Sequence, residues 1–504
     1  MSRFTSFLLL SMLATAPASF TWGAGVERLT VDFDYVKSLA AERAANDYKP
    51  PEAPRLPRKL RDLDYNDYRE IEFRADASLW GGEQALPFQL RFYHRGGANS
   101  QRVLLHETSA THVQEIPFRE EFFNYRALED PGRMRSDSGY AGFRVHYALN
   151  RPEAMDELVS FLGSSYFRAL APGNIYGLSA RGLALDAALP GRAEEFPDFV
   201  SFWIRKPTAD AESLEWFALL DSPSVAGAYA FTIDPGHETV MTVRVALYWR
   251  NAVADPGWAP LTSMFWFGEN SDRPANTLRP EVHDSDGLWI ETADAGRQWQ
   301  PLQRVAHARI TDIPTSSLRG FGLIQRDRAF ANYQDLEAGY HRRPSAWVEP
   351  LEDWGPGQLR LSELPTDSEY HDNVVAYWRP DQPVAAGDES HFSYRLIWGD
   401  QPPPASLAQV TATRHGHDGE GRPMWWVDFA GENLAQLAPS DFGADLQIGG
   451  DAEVVHQALE ALPDGAGWRV IIVTNARPTA GLTCTLRQGP DAISETWRLP
   501  TSSS

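Results

Sequence analysis

"LPFQLRFYH" (residues 86–94) alternates strictly, with Phe88, Leu90 and Phe92 on one side of an extended chain and Gln89 and Arg91 on the other. A period of two marks a half-buried strand, because successive side chains point to opposite faces of a sheet. The rhythm returns in "AGFRVHYAL" (141–149), where Phe143, Val145 and Tyr147 oppose Arg144 and His146. It returns again in "MTVRVALYW" (241–249), where Val243, Val245 and Leu247 oppose Arg244. Runs of this kind between turns rich in Gly, Pro and Asp predict an all-β chain of antiparallel strands.

Two segments read as helix instead. "DYVKSLAAERAANDY" (34–48) has helical composition and is broken by the four prolines of "PPEAPRLPRKL" (50–60). "RPEAMDELVSFLG" (151–163) has Pro152 near its start and Met155, Leu158, Phe161 and Leu162 along one stripe, which predicts a second helix. A boundary is expected at "WGDQPPPASLAQ" (398–409), since three consecutive prolines cannot donate ladder hydrogen bonds. Residues 405–504 then return to short strands ("MWWVDFA", "WRVIIVTNA", "GLTCTLRQ") whose number and spacing predict an immunoglobulin-like sandwich.

At 504 residues the chain has material for more than one domain and a large core. Its 46 basic and 68 acidic residues leave a formal charge of −22. Such a surface repels phosphate backbones and anionic bilayers, which argues against nucleic acid or membrane partners and is compatible with a neutral glycan. The 17 Trp, 17 Tyr and 25 Phe suit sandwich cores and sugar stacking alike, so the count does not choose between them. The N-terminus, "MSRFTSFLLLSMLATAPASFTWGAG", has one Arg, a short apolar run and small residues at Ala16 and Ala18. It predicts a signal peptide over residues 1–24, cleaved between about 18 and 24. No later stretch reaches the ~18 apolar residues of a membrane span. The single cysteine, Cys484, excludes an internal disulfide and Cys-based zinc, and is expected buried in a strand.

Familiar catalytic signatures fail on inspection. "HETSA" (106–110) has Ala110 where a zinc-protease helix needs its second His. "GLSARG" (177–182) has Arg181 where a nucleophile elbow needs Gly. "HDSDG" (283–287) lacks the spacing and distal Glu of a calcium loop. No metal or cofactor is called for. Two acidic clusters flanked by aromatics remain: "RPEVHDSDG" (279–287), and "ELPTDSEYHDNVVAYW" (363–378), which carries Glu363, Asp367, Glu369 and Asp372. Acidic turns are commonly no more than solvated turns. Glycoside cleavage, however, needs a carboxyl group kept protonated beside a carboxylate that activates the nucleophile, and crowded acids raise one another's pKa.

The blocks "YGLSARGLALDAALP", "ANTLRPEVHDSDGL", "GFGLIQRDRAFANYQDLEAGYHRRPSAWVEP" and "SEYHDNVVAYWRPDQPV", in order between residues 28 and 400, closely resemble the periplasmic glucan biosynthesis family (OpgG/OpgD, also called MdoG). The resemblance implies a large N-terminal β-sandwich with a cleft, over 25–399, and the immunoglobulin-like sandwich after it. It implies a periplasmic enzyme of osmoregulated glucan synthesis, acting on β-1,2-glucan by inverting hydrolysis or transglycosylation. The family's general acid falls on Asp372 and its base on Asp284. Glu369, Arg279, His283, Trp347 and Tyr377 lie in matching blocks and are expected at the substrate. Inverting enzymes keep their carboxyl groups roughly 6.5–9.5 Å apart; the family's base is thought to use a relay, so that spacing need not hold. The family also uses a loop that reaches over from a partner subunit, which leaves room for a homodimer; "RHGHDGEGRPMWW" (414–426) is not assigned to that loop. The rival reading is a non-catalytic glucan-binding or scaffold protein, docking on membrane proteins of glucan synthesis.

Overall fold

The protein is seen here as a computed structural model, which describes residues 30–500 apart from 83–85, 127, 129–131, 401–405 and 436. The expected signal peptide and the triple proline lie outside the described residues. Within them the chain is all-β, as its alternating runs predict, and two large sheets dominate.

One sheet runs from the strand Phe88–Tyr93 through Gly142–Tyr147, Asp156–Leu162, Tyr166–Ala169 and Ser179–Arg181. It continues through Pro256–Ser263, Val374–Pro380, Gly357–Glu363 and Arg309–Thr315. Phe88, Leu90 and Phe92 are buried on its inner face while Gln89 and Arg91 are half-buried outside. The second sheet faces it. Phe161 of the first sheet packs edge-on against Phe202 at 5.2 Å and Trp216 at 5.7 Å of the second. Aromatic pairs of this kind interdigitate the two inner faces of a sandwich. Truncating Trp216, fully buried at the centre, to Ala would cost about 3–5 kcal/mol.

The helix expected near residue 34 is present as Phe33–Ala44, begun by the Asp32 side chain accepting the Tyr35 N–H at 2.8 Å. Its Val36 and Ala40 press on Ala226, Ala228 and Ala246 of the second sheet, and these small residues let the helix lie close. The helix expected at 151–163 is a correction. Asp156–Leu162 is a strand paired on both sides, with Leu158, Val159, Ser160 and Phe161 all buried. A strand covered on both faces loses its alternation, and its continuous apolar run then imitates a helical stripe.

After residue 405 the chain forms a sheet of Gln409–His417, Pro423–Ala430, Trp468–Thr474 and Val454–Ala461. The strands Gly443–Ile448, Leu482–Gln488 and Thr496–Leu499 instead extend the large second sheet, because Thr496–Leu499 pairs in parallel with Gly296–Pro301. Their shared core takes in Trp289, Trp299 and Trp347 from the earlier part of the chain. Cys484 is buried there, and burial pushes its thiol up. The segment 414–426 is a hairpin whose Arg414 bonds Asp428 at 3.1 Å.

Candidate active site

Asp372 ends the turn that leads into the central strand Val374–Pro380, and the residue after it holds that turn in place. Asn373 is buried. Its Oδ1 accepts the Phe265 N–H at 2.9 Å, and its Nδ2 donates to the Phe265 carbonyl at 3.0 Å and the Leu364 carbonyl at 2.8 Å. Phe265 in turn pairs with His283, and the Asp284 N–H donates to the Met264 carbonyl at 2.8 Å. Both acidic segments are thereby referenced to the same short stretch of backbone.

The result is one cleft of about 950 Å³ whose walls include Asp284, Glu369 and Asp372. A further lobe of about 290 Å³ continues beyond Asp372, Arg168 and Tyr176 toward Tyr93 and Tyr166. Tyr65 and Tyr370, 73% and 87% exposed, stand in the cleft wall. Such rings can cover the apolar face of a sugar while their hydroxyls stay in water.

The carboxylates differ sharply in setting. Asp284 is 3% exposed, and burial pushes its carboxyl up, with the charge of Asp372 acting in the same direction and those of Arg343 and Arg168 opposing. Arg343 donates to Asp284 Oδ1. Gly177 makes room for that arginine: a Cβ there would lie 2.8 Å from the Arg343 Cβ. Asp372 is exposed, with no ion pair among the described residues. Glu369 is bridged by Arg279, which donates to it at 2.5 Å and to Asp335 at 2.9 Å, and it also accepts the Tyr340 hydroxyl. Burial pushes Glu369 up, but the bonds from Arg279 and Tyr340 outweigh it and hold the carboxyl below its usual range. The Arg343 guanidinium lies 4.2 Å from the centre of the Tyr340 ring, so an unbroken chain of contacts runs from Asp335 to Asp284.

Of the residues expected at the substrate, Asp284, Asp372 and Glu369 line the cleft together, and Arg279 braces its wall. His283 points behind it, into a separate cavity of about 200 Å³, between Glu281 at 2.9 Å and Gln325 at 3.0 Å. Burial would lower this imidazole, but the Glu281 hydrogen bond and the Asp286 charge bring it up to about 9. Trp347 is buried against Trp289, ring centres 4.9 Å apart, and Tyr377 is buried with its hydroxyl on Asp255 at 2.7 Å; neither lines the cleft. Glu363 also faces inward, accepting Arg309 Nε at 2.8 Å and the Gln303 N–H at 3.0 Å. Missed by the sequence reading were Tyr65, Arg168, Tyr176, Tyr340 and Arg343. Tyr340 and Arg343 sit inside "EAGYHRRPSAW", where a pair of arginines beside a tyrosine was the available signal. Among the described residues no cluster fit to hold a metal ion is found, and no helix is long and apolar enough to cross a membrane.

The chain matches the sequence model of the family described as periplasmic glucan biosynthesis protein, MdoG, over residues 31–500. It is 41% identical over 503 residues to a protein of Rhodopseudomonas palustris named glucans biosynthesis protein G, covering 99% of both chains. A protein of that name from Ralstonia nicotianae is 41% identical over 509 residues, covering 97% of both. Among solved structures, an α-galactosidase from Geobacillus stearothermophilus aligns at a TM-score of 0.27 and 9% identity, over 52% of this chain and 40% of that one, too little to support an argument. The full-length agreement in sequence decides the matter, and the chain belongs to the periplasmic glucan biosynthesis protein family.

Proposed function

We propose that this protein is a periplasmic enzyme that cleaves or transfers β-1,2-glucan chains with inversion, with Asp372 as general acid and Asp284 as base. The observation that carries the reading is the pair of carboxyl groups in one open cleft, one exposed to an incoming glycosidic oxygen and one buried and braced. The linkage and the stereochemistry come from the family resemblance, and the periplasmic setting from the family description and the signal-like N-terminus.

Asp372 donates its proton to the leaving oxygen as the glycosidic bond breaks. Asp284, through Oδ2, takes the proton from a water or from an acceptor sugar hydroxyl that attacks the opposite face of the ring. Arg343 orients the other carboxylate oxygen and opposes the protonation that burial would favour. Glu369, committed to Arg279 and Tyr340, shapes the wall and offers an acceptor to substrate hydroxyls. The acidic surface suits a neutral glucan, and membrane proteins of glucan synthesis are the partners this reading calls for.

Incubating wild type and Asp372→Asn with linear β-1,2-glucan, and following product length, tests the reading. Redistribution of chain lengths by wild type alone supports it. Identical profiles from both proteins remove Asp372 from the mechanism, and tight binding with no change in length in either favours a glucan-binding scaffold.

A further inference from the structure

Asp284 has no freedom of its own, because the chain on either side of it is gripped by the exit of the strand Leu318–Ile324. On one side, Gln325 Nε2 donates to the His283 carbonyl at 3.1 Å, the Tyr333 hydroxyl at 2.8 Å and the Tyr340 carbonyl at 3.3 Å. On the other, the Arg326 and Asp327 N–H groups both donate to Asp286 Oδ2, the second at 2.7 Å. Ser285 is tied to Ser263, their hydroxyls 2.8 Å apart. Residues 325–327 therefore set the height and direction of Asp284 from both ends.

What fixes residues 325–327 comes from far along the chain. Arg326 forms a bidentate pair with Glu495, at 2.6 Å and 3.0 Å, and a further bond to the Val410 carbonyl. Glu495 accepts the Val410 N–H at 2.7 Å, and its own N–H donates to the Ala408 carbonyl at 2.9 Å. The guanidinium lies 3.7 Å from the centre of the Trp299 ring. Both members of the pair are nearly buried, Arg326 at 9% and Glu495 at 1% side-chain exposure. A planar bidentate pair stacked on an aromatic face has one geometry; a shortened carboxylate strains it, and loss of the guanidinium or of the carboxylate charge removes it.

We propose that Arg326, locked by Glu495, is a positioning residue for Asp284, so that the strands after residue 405 set the reaction geometry from behind the cleft. The inference rests on the reading of Asp284 as base. It predicts that loosening a pair of residues that never touches substrate disturbs the chemical step more than binding.

The test uses full-length Glu495→Gln, with Arg326→Lys as a second variant and Glu495→Asp as the charge-preserving rescue. Hydrogen–deuterium exchange gives a readout independent of activity. Peptides spanning 282–287 should exchange about tenfold faster in the first two variants, as expected when a local unit opens more often. On linear β-1,2-glucan, kcat should fall about tenfold with KM within about twofold, since misplacement of a reacting group acts on the chemical step. The acidic limb of the kcat–pH profile should move down, because water admitted around Asp284 relieves the burial that raises its carboxyl. Glu495→Asp should fall between. A folded Glu495→Gln or Arg326→Lys protein with wild-type exchange at 282–287 and a wild-type pH profile overturns the proposal. If wild type leaves the glucan unchanged, the reading of Asp284 fails instead, and the exchange result still decides whether this pair holds the segment.

Discussion

Asp284 is 3% exposed in a segment whose every residue from 283 to 286 is fastened, whereas Asp372 stands exposed at the end of a turn anchored from Asn373 onward. The buried side supplies a fixed direction and a shifted carboxyl. The exposed side supplies access, with Tyr370 two residues before Asp372 and 87% exposed. On the function proposed above, a polymer enters sideways and leaves again, so one carboxylate has to be reachable while the other sets the frame. Apart from the two carboxylates, substitutions of buried groups should therefore cost stability, and substitutions of exposed groups should cost binding.

The largest effect is expected at the carboxylates themselves. Asp284→Asn and Asp372→Asn should each lower kcat on linear β-1,2-glucan by roughly 10²–10⁴-fold, the usual range for a positioned acid or base. Urea melts should then separate them. Asp372→Asn should stay within about 0.5 kcal/mol of wild type, as a surface change does. Asp284→Asn should shift stability by about 1–3 kcal/mol, because it alters a buried partner of Arg343. Equal stability in the two variants would break the contrast.

Next in size is Asn373→Leu. It leaves the Phe265 N–H and two carbonyls without their bonds, and should cost about 3 kcal/mol in the same melts. Tyr370→Ala should leave the melt unchanged and raise KM about fivefold, the equivalent of roughly 1 kcal/mol of ring contact. A matching loss of stability would mean that Tyr370 is structural.

The last effect concerns pH, behind the cleft. Glu269 lines the same rear cavity as His283, and burial pushes its carboxyl up to about 7, against the pull of Arg414. A carboxyl raised in the folded state binds more protons there than in the unfolded chain, so its contribution to stability is present at low pH and lost as pH rises toward 7. His283, raised to about 9, adds stability that is complete below its ordinary value and lost as pH rises through 9. Unfolding free energy should thus decline from about pH 5 to 9 through these two groups. Glu269→Gln should flatten the part of that decline below pH 7.

Strands such as Phe88–Tyr93 were legible because one face meets the core and the other is partly solvated, which writes a period of two into the sequence. The strand Asp156–Leu162 was not, because burial on both faces erases that period. Composition singled out the two acidic stretches, but only the family blocks chose Asp284 and Asp372 within them. Arg343, Tyr340 and Asn373 escaped notice because their roles exist only across long separations, as in the 108 residues between Asn373 and Phe265. The block that carries Asp372 also carries Tyr377, and a separate matching block carries Trp347; the fold uses both inside, against Asp255 and Trp289. Membership of a matching block therefore marks a residue the fold needs, and only the cleft separates the packing residues from those that line it.

On the function proposed above, Asp372 and Asp284 act as a pair on one glycosidic bond. Time-resolved NMR of the first products from linear β-1,2-glucan tests it most directly. Wild type should release the α-anomer first, and Asp372→Asn and Asp284→Asn should release neither anomer at a comparable rate. Release of the β-anomer first, or a wild-type rate in either variant, would contradict it.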